Sequence, residues 1–333
     1  MRFSFIIPVY GTERFLPRCL DSILAQTERD FEIVVVDDCS PGDCAEIVKA
    51  YGDSVRYIRH EKNRSAFQAR LTAVREAKGE YVVPLDPDDY ITPELLERAS
   101  ALIARTCPDV VSYWIDYDDG RKVFPHWCRH AEAVISGIEA IRELGEGKFA
   151  TGVATKILRR DLLLRAVALL PHAEEYYVNT SDDFLMLIPL LLLCDRVAFL
   201  EYAGYRYFMN EASTSFSWSG IDGLRKAVSQ IGVVHDALRK VMVAQDWGDE
   251  ARTDVEGLLG RMESWFAFNA LRSPNLSADD VVDTLVRDFD PRNVAKGCAQ
   301  AMTEIRASKA YRLVKCLAYV FRRIQRRWRS TDL

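Results

Sequence analysis

The chain has 333 residues, of which 49% are hydrophobic and 28% charged, and its formal net charge is −5. These values exclude a fibrous or disordered chain and fit a globular protein with one large domain and an appendage, or with two ordinary domains. The small negative charge gives no overall field for nucleic acid. Its eight cysteines contain no Cys-x-x-Cys pair, so no zinc ribbon is predicted. Since no secretory signal pattern is present either, we expect a cytoplasmic location.

The first hundred residues alternate between apolar runs typical of buried strands and amphipathic runs typical of helices. Strands are predicted at 3–9, 31–36, 55–59 and 80–85, and helices after Thr12, at 43–51 and at 66–78. Thr12 and Thr92 are predicted to cap the helices that follow them. This alternation predicts an α/β fold with a doubly wound sheet.

Beyond Asp109 the pattern changes. Asp119-Gly120 predicts a hairpin between 110–118 and 121–125, and shorter segments follow. They are helices near 136–145 and 160–168, an apolar helix after Asp182-Asp183, and strands near 196–208. After about residue 215 only helical patterns occur, at 220–245, 249–271, 277–287 and 292–328. We therefore predict one domain at 1–215 and a helical region at 216–333.

Three acidic clusters are the main functional signal: Asp37-Asp38, Asp86-Pro87-Asp88-Asp89 and Asp182-Asp183. The first two follow apolar strands, whose carboxyl ends face the ligand crevice of an open α/β sheet. Neighbouring carboxylates repel one another unless a positive group lies between them, and a divalent cation on a diphosphate would supply it. Each cluster also has an ordinary structural explanation, namely a strand end, a turn or a helix N-terminus.

Six short segments carry a more specific resemblance. They are 5–10 (FIIPVY), 20–27 (LDSILAQT), 34–40 (VVVDDCS), 79–91 (GEYVVPLDPDDYI), 182–185 (DDFL) and 205–207 (YRY). In order and spacing they resemble the family 2 glycosyltransferases over about residues 3–208. The resemblance implies a GT-A fold, with a doubly wound mixed sheet, that transfers a sugar from a nucleoside diphosphate donor with inversion and with Mn²⁺ or Mg²⁺.

The same resemblance implies a role for individual residues. Asp38 would contact the nucleobase, usually uracil in this family, Asp88 would bind the metal ion, and Asp183 would be the catalytic base with Asp182 as its neighbouring acid. The implied nucleotide-binding residues are Pro8, Tyr10, Glu13, Asp38, Arg70 and Asp86. A carboxylate base speeds transfer by taking the proton of the acceptor hydroxyl as the new bond forms.

Three positions depart from the family pattern. Gly11 replaces an expected asparagine, Arg64-Ser65 occupies the place of an expected glycine, and Leu71 replaces an asparagine. These changes leave the donor sugar open. They also keep two alternatives open: a non-catalytic scaffold of a glycan assembly complex, or a nucleotidyltransferase. The latter usually needs a glycine-rich basic loop, which Gly11–Arg14 supplies poorly.

The segment 311–329 combines an apolar stripe with basic residues and contains no acidic residue. As a helix it would suit the membrane interface. The alternative is a helix packed on its own domain with a solvated basic face. The expected acceptor is a glycan or a lipid-linked saccharide of cell-surface polysaccharide synthesis, with no role for nucleic acid.

Overall fold

The computed structural model describes residues 1–125, 130–209, 220–273 and 275–304. The chain forms two compact units, the first made of Met1–Asn210 with Asp236–Asp254 and the second of Glu211–His235 with Val255–Leu333. The basic segment 311–329 lies outside the described residues. Within the described ranges, none of the helices is both long enough and apolar enough to cross a lipid bilayer.

The first unit contains a large sheet and the helices that cover it. The strands are β1 (Phe3–Val9), β2 (Phe31–Asp37), β3 (Arg56–Arg59), β4 (Tyr81–Pro84), β5 (Tyr90–Ile91), β6 (Val110–Asp118), β7 (Val123–Pro125), β8 (Ala133–Ile135), β9 (Lys156–Arg159) and β10 (Val197–Phe208). The helices are α1 (Leu16–Leu24), α2 (Cys44–Lys49), α3 (Ala66–Glu76), α4 (Leu95–Thr106), α5 (Gly137–Glu146), α6 (Arg160–Val167) and α7 (Asp182–Leu193).

The sheet is mixed, with the main order β3-β2-β1-β4-β9-β6-β10-β5. Strands β1 to β4 are parallel to one another, and β6 is parallel to β10. Strand β9 lies antiparallel between β4 and β6. The predicted alternation and mixed sheet are confirmed, whereas β5, β8 and β9 were not predicted from the sequence.

Both faces of the sheet are covered. Every residue of β1 is buried, and Phe3, Phe5 and Ile7 pack with residues of α1 and α4 in one core cluster. Successive side chains of a strand point to opposite faces, so Ile6, which is also buried, faces the other side, where α3 packs against β1 and β2. Helix α7 is apolar along almost its whole length and is buried throughout its middle.

The two predicted helix caps are wrong. Helix α1 begins at Leu16 after a short 3-10 turn, and the buried Thr12 hydroxyl has no hydrogen-bond partner. Helix α4 begins at Leu95, with Glu94 at its N-cap position, because the Thr92 carbonyl accepts the N–H of Leu95 in a turn. Local sequence signals place helix ends only to within a few residues.

The second unit contains only helices among its described residues, built from parts of α8 (Ile221–Ala244) and α9 (Gly248–Arg272) with α10 (Ala278–Asp288) and α11 (Pro291–Glu304). Its core joins one face of each of the four helices. Helices α9 and α11 approach closely at Gly297, where a Cβ atom would lie 2.3 Å from the carbonyl oxygen of Ser264.

Candidate active site

The carboxyl ends of β1, β2 and β4 meet at one edge of the sheet. Val9 at the end of β1 pairs with Asp37, and Ile6 pairs with Pro84 at the end of β4. The first two acidic clusters directly follow these strand ends, so the structure brings them to the same edge. This is where open α/β sheets bind ligands.

The adjacent Asp37 and Asp38 have different surroundings. Asp37 is fully buried, and its carboxylate accepts the N–H of Ser40 at 2.7 Å and contacts Tyr57 and Arg59. It therefore holds the turn after β2 together. Asp38 is 2% exposed and accepts the N–H groups of two residues of the next loop, Arg64 at 2.8 Å and Ser65 at 2.9 Å.

His60 completes the surroundings of Asp38. Its Nδ1 lies 2.6 Å from Asp38 Oδ1, and its Nε2 lies 3.0 Å from the hydroxyl of Thr72 on α3. Asp38 Oδ1 is shared by this histidine and by the N–H of Arg64, whereas Oδ2 accepts the N–H of Ser65. Asp38 thus joins the end of β2 to the loop that begins α3.

The loop between β3 and α3 contains a strained residue. Ser65 has φ 94° and ψ 161°, a region that is essentially restricted to glycine. It is fully buried, and its hydroxyl has no hydrogen-bond partner. The loop therefore keeps a glycine-type backbone at the position where the family resemblance expects glycine.

Arg70 connects the second acidic cluster to the third. This residue of α3 is 7% exposed. One of its terminal nitrogens donates to Asp86 Oδ1 at 2.7 Å and the other donates to Asp182 Oδ2. Burial opposes its charge, but the carboxylates of Asp182, Asp86 and Asp183 outweigh burial and hold the pKa of Arg70 well above its usual value. Arginine suits this position because its planar fork can bind two carboxylates at once.

Asp182 and Asp183 begin α7. Burial raises the pKa of Asp182, although the charge of Arg70 opposes this shift. Burial and then the charge of Asp182 raise the pKa of Asp183 to about 7, while Arg70 and the N–H of Val153 act in the opposite direction. A carboxyl group with such a pKa can accept a proton near neutral pH, as a general base must.

The three acids of the Asp86-Pro87-Asp88-Asp89 turn differ in how far they are buried. Asp89 is 2% exposed and accepts the hydroxyl of Tyr205 and, at 2.7 Å, the N–H of Phe208, so it binds the turn to β10. Burial, followed by the charges of Asp88 and Asp86, raises its pKa. The side chains of Asp86 and Asp88 are partly exposed, so these two acids are the ones that a ligand can reach.

Asp88 is the candidate metal ligand. No cluster of three or more histidine, cysteine or acidic side chains suited to a metal ion occurs in the described part of the chain. Asp86 is already paired with Arg70. A hard cation such as Mg²⁺ often takes only one or two carboxylates, with phosphate oxygens and water as its other ligands. The donor set at Asp88 fits a cation of this kind only when a diphosphate is also bound.

The three other predicted nucleotide residues lie near the end of β1. Pro8 is buried inside the strand, whereas Tyr10 is 55% exposed just beyond it. Glu13 is partly buried, and its carboxylate accepts the N–H of Gly42 at 3.3 Å, which joins it to the turn after β2. Tyr10 thus presents an exposed aromatic ring that is available for stacking on a base.

Sequence reasoning missed His60, Val153 and Lys156. His60 directly follows β3, and a polar residue at a strand end could have suggested a site. Val153 takes part through its backbone N–H, which no side-chain pattern reports. Lys156 begins the unpredicted strand β9, and its surroundings depend on tertiary packing.

Comparison with known proteins agrees with this fold. Residues 4–165 match the family model described as glycosyl transferase family 2. The uncharacterized glycosyltransferase EpsJ of Bacillus subtilis is 29% identical over 217 residues, which are 63% of this chain and 62% of EpsJ. The poly(ribitol-phosphate) β-N-acetylglucosaminyltransferase TarS of Staphylococcus aureus is 30% identical over 212 residues, which are 62% of this chain and 35% of TarS.

Solved structures extend the likeness to the whole fold. The crystal structure of S. aureus TarS 1–349 in complex with UDP-GlcNAc matches with a TM-score of 0.64 and 21% identity, covering 99% of this chain and 92% of that one. GalNAc-T7 with UDP, GalNAc and Mn²⁺ matches with a TM-score of 0.50 and 16% identity, over 80% of this chain and 56% of that one.

The mixed sheet, the acidic edge and these structural matches define a GT-A fold. Residues 4–165 of the chain match glycosyl transferase family 2, which confirms the resemblance read from the sequence. The chain spans less than two thirds of the length of EpsJ and about a third of TarS.

Proposed function

We propose that this chain transfers a sugar from a UDP-sugar to a hydroxyl of a glycan or a lipid-linked saccharide, with inversion, in the synthesis of a cell-surface polysaccharide. The observation that carries the proposal is the pair of contacts through which Arg70 joins Asp86, after β4, to Asp182, at the start of α7. Through this arginine the nucleotide side and the base side of the site form one charged cluster. TarS, which has been solved with UDP-GlcNAc, makes UDP-N-acetylhexosamines the first donors to test.

On the nucleotide side, Tyr10 is exposed for stacking on the base. Asp38 reaches the base through Oδ2, while its Oδ1 holds His60 and the following loop. Asp86, which follows β4, would lie beside the ribose. A divalent cation, Mn²⁺ or Mg²⁺, would be held by Asp88 and would supply positive charge to the departing diphosphate.

On the transfer side, Asp183 takes the proton of the acceptor hydroxyl. Its pKa of about 7 keeps the base strong enough to accept a proton while a large fraction of it is ionised at neutral pH. Arg70 limits the repulsion between Asp182 and Asp183 because its guanidinium is paired with Asp182. One displacement on the face opposite the diphosphate inverts the anomeric carbon without a covalent sugar intermediate.

The proposal also covers the parts of the chain outside the site. Residues 1–215 would form the transferase domain and 216–333 a helical region. The basic segment 311–329 would lie on the inner face of the cytoplasmic membrane, which would bring a lipid-linked acceptor to the site.

Binding and turnover of a donor panel test the proposal. Purified protein is titrated with UDP-glucose, UDP-galactose, UDP-GlcNAc and UDP-GalNAc in the presence of Mn²⁺, and UDP release is measured. We expect Asp88→Ala to lose metal-dependent turnover. We expect Asp183→Asn to bind donor normally and to lose about 10²- to 10⁴-fold in turnover.

Asp53→Ala is the matched control, because Asp53 is an exposed aspartate in the turn before β3. It should behave like the wild type. Absence of binding by every donor would favour the scaffold alternative, and normal turnover by Asp183→Asn would remove that residue as the base.

A further inference from the structure

A buried lysine lies behind the proposed base. Lys156, the first residue of β9, is fully buried. Its ammonium donates to the carbonyl oxygens of Ala150 and Gly152, both at 2.7 Å, and to the hydroxyl of Thr155 at 3.1 Å. Burying an ammonium costs several kcal/mol unless its donors are paired. These acceptors match its three N–H donors, so the lysine fixes the turn that precedes β9.

This turn contacts Asp183 through a single peptide unit. The carbonyl of Gly152 accepts the ammonium of Lys156, and the following N–H, that of Val153, acts on the Asp183 carboxylate and lowers its pKa. In a planar trans peptide the C=O and the following N–H point in opposite directions. A group that holds this carbonyl therefore also aims the N–H. A Cβ atom on Gly152 would lie 3.8 Å from Asp183 Oδ2, which shows how closely the turn approaches the base.

Besides orienting the peptide, the positive charge of Lys156 makes the Val153 N–H a stronger hydrogen-bond donor. A hydrogen bond from a cation polarises the peptide it binds, and hydrogen bonds in series strengthen one another. The Val153 N–H is therefore a better donor to a carboxylate than an N–H whose carbonyl faces water. Thr155 supports the same carbonyl, because its hydroxyl lies 3.1 Å from the Gly152 oxygen.

We propose that Lys156 is a positioning residue for Asp183: it holds the Gly152–Val153 peptide so that the Val153 N–H stays aimed at the carboxylate. The inference rests on the proposed role of Asp183 as the base. It adds a residue with no ligand contact of its own that controls where the carboxylate lies and how readily it is ionised.

The expected effect of losing this contact has a definite sign. The groups that face Asp183 are the Asp182 and Asp86 carboxylates, the Arg70 guanidinium and the Val153 N–H. The two carboxylates favour the protonated acid, whereas the guanidinium and the N–H favour the ionised base. Loss of the N–H contact therefore moves the rise of activity with pH to higher pH, and it lowers kcat because the base is less well aligned.

Lys156→Met tests the inference, since methionine fills a similar volume without charge or donors. The assay uses the nucleotide sugar of the donor panel that gives the fastest UDP release. We expect kcat at pH 7 to fall about tenfold, as expected for loss of one hydrogen bond to a charged group. The donor Kd should stay the same, and the pH midpoint of kcat should rise. Lys49→Met, at an exposed lysine on α2, is the control and should match the wild type.

Thr155→Val covers the case in which Lys156→Met does not fold, because it removes one partner of the lysine and one hydrogen bond to the Gly152 carbonyl. We expect a fall in kcat of about threefold with unchanged donor Kd. Wild-type kcat and pH midpoint in either folded variant would overturn the positioning role while Asp183→Asn stays inactive. An active Asp183→Asn would instead overturn the base assignment itself.

Discussion

Replacing Ser65 with glycine should stabilise the protein. The backbone of Ser65 has φ 94° and ψ 161°, and holding a residue with a side chain in such a region costs about 1–3 kcal/mol. Its buried hydroxyl has no hydrogen-bond partner, and leaving such a group unpaired costs about 1–3 kcal/mol. Glycine removes both costs and keeps the N–H that Asp38 accepts.

Two losses act against this gain. Glycine has more conformational freedom in the unfolded chain, which costs about 0.5–1 kcal/mol, and removal of the buried β-carbon loses about 0.8 kcal/mol of packing. The expected net gain in the free energy of unfolding is about 2 kcal/mol. For a unit of this size it corresponds to a rise in Tm of about 5 °C, which calorimetry or a urea melt can measure.

Two alanine variants separate the contributions. Ser65→Ala removes the hydroxyl but keeps the β-carbon at positive φ, so it should recover only about half of the gain. Ser100 also has a buried hydroxyl without a partner, but it lies within α4, so Ser100→Ala reports on a hydroxyl without backbone strain. A lower Tm for Ser65→Gly, or equal gains for Ser65→Gly and Ser65→Ala, would refute the assignment of strain.

Three further predictions concern the site and its support. Arg70→Lys should reduce turnover at least tenfold, because a lysine cannot bind both carboxylates with the same geometry; unchanged kinetics would contradict the bridging role. Gly137→Ala should lower stability by about 3 kcal/mol or more, since its Cβ would lie 1.9 Å from a backbone carbonyl oxygen of α7; a denaturant midpoint equal to the wild type would contradict this. Transfer should rise with pH around a midpoint of about 7 as Asp183 ionises; a flat profile from pH 5 to 9 would argue against a carboxylate base.

Much of the fold could be predicted because its signals are local. Strands β1, β2 and β4 are apolar runs, and acids lie at the ends of β2 and β4. The alternation of these strands with helices predicts a parallel sheet with acids at one edge. Strand β9 could not be predicted. Its four residues run directly into α6, and a segment so short has no period of its own. Its antiparallel place between β4 and β6 depends on partners far away in the chain.

The candidate site also contains features that the sequence identified and features that only the structure shows. The sequence identified the acids themselves, and the roles assigned to Pro8, Tyr10, Glu13, Asp38, Asp86, Asp88 and Asp183 stay predictions until the variants are measured. It could not show that Asp89 faces inward while Asp86 and Asp88 face outward, since the three share one turn. It also gave no indication that His60 binds Asp38.

The amino-acid sequence by itself determined which chemical groups this protein carries and, through strand and helix periodicity, which edge of a sheet would present most of them. Only the tertiary structure decided how those groups are paired. Arg70 meets a carboxylate 112 positions away, and Val153 reaches the same helix N-terminus through its backbone. Charge and burial act through distance in space, and a buried carboxylate becomes a base or a structural anchor according to neighbours that its position along the chain does not reveal.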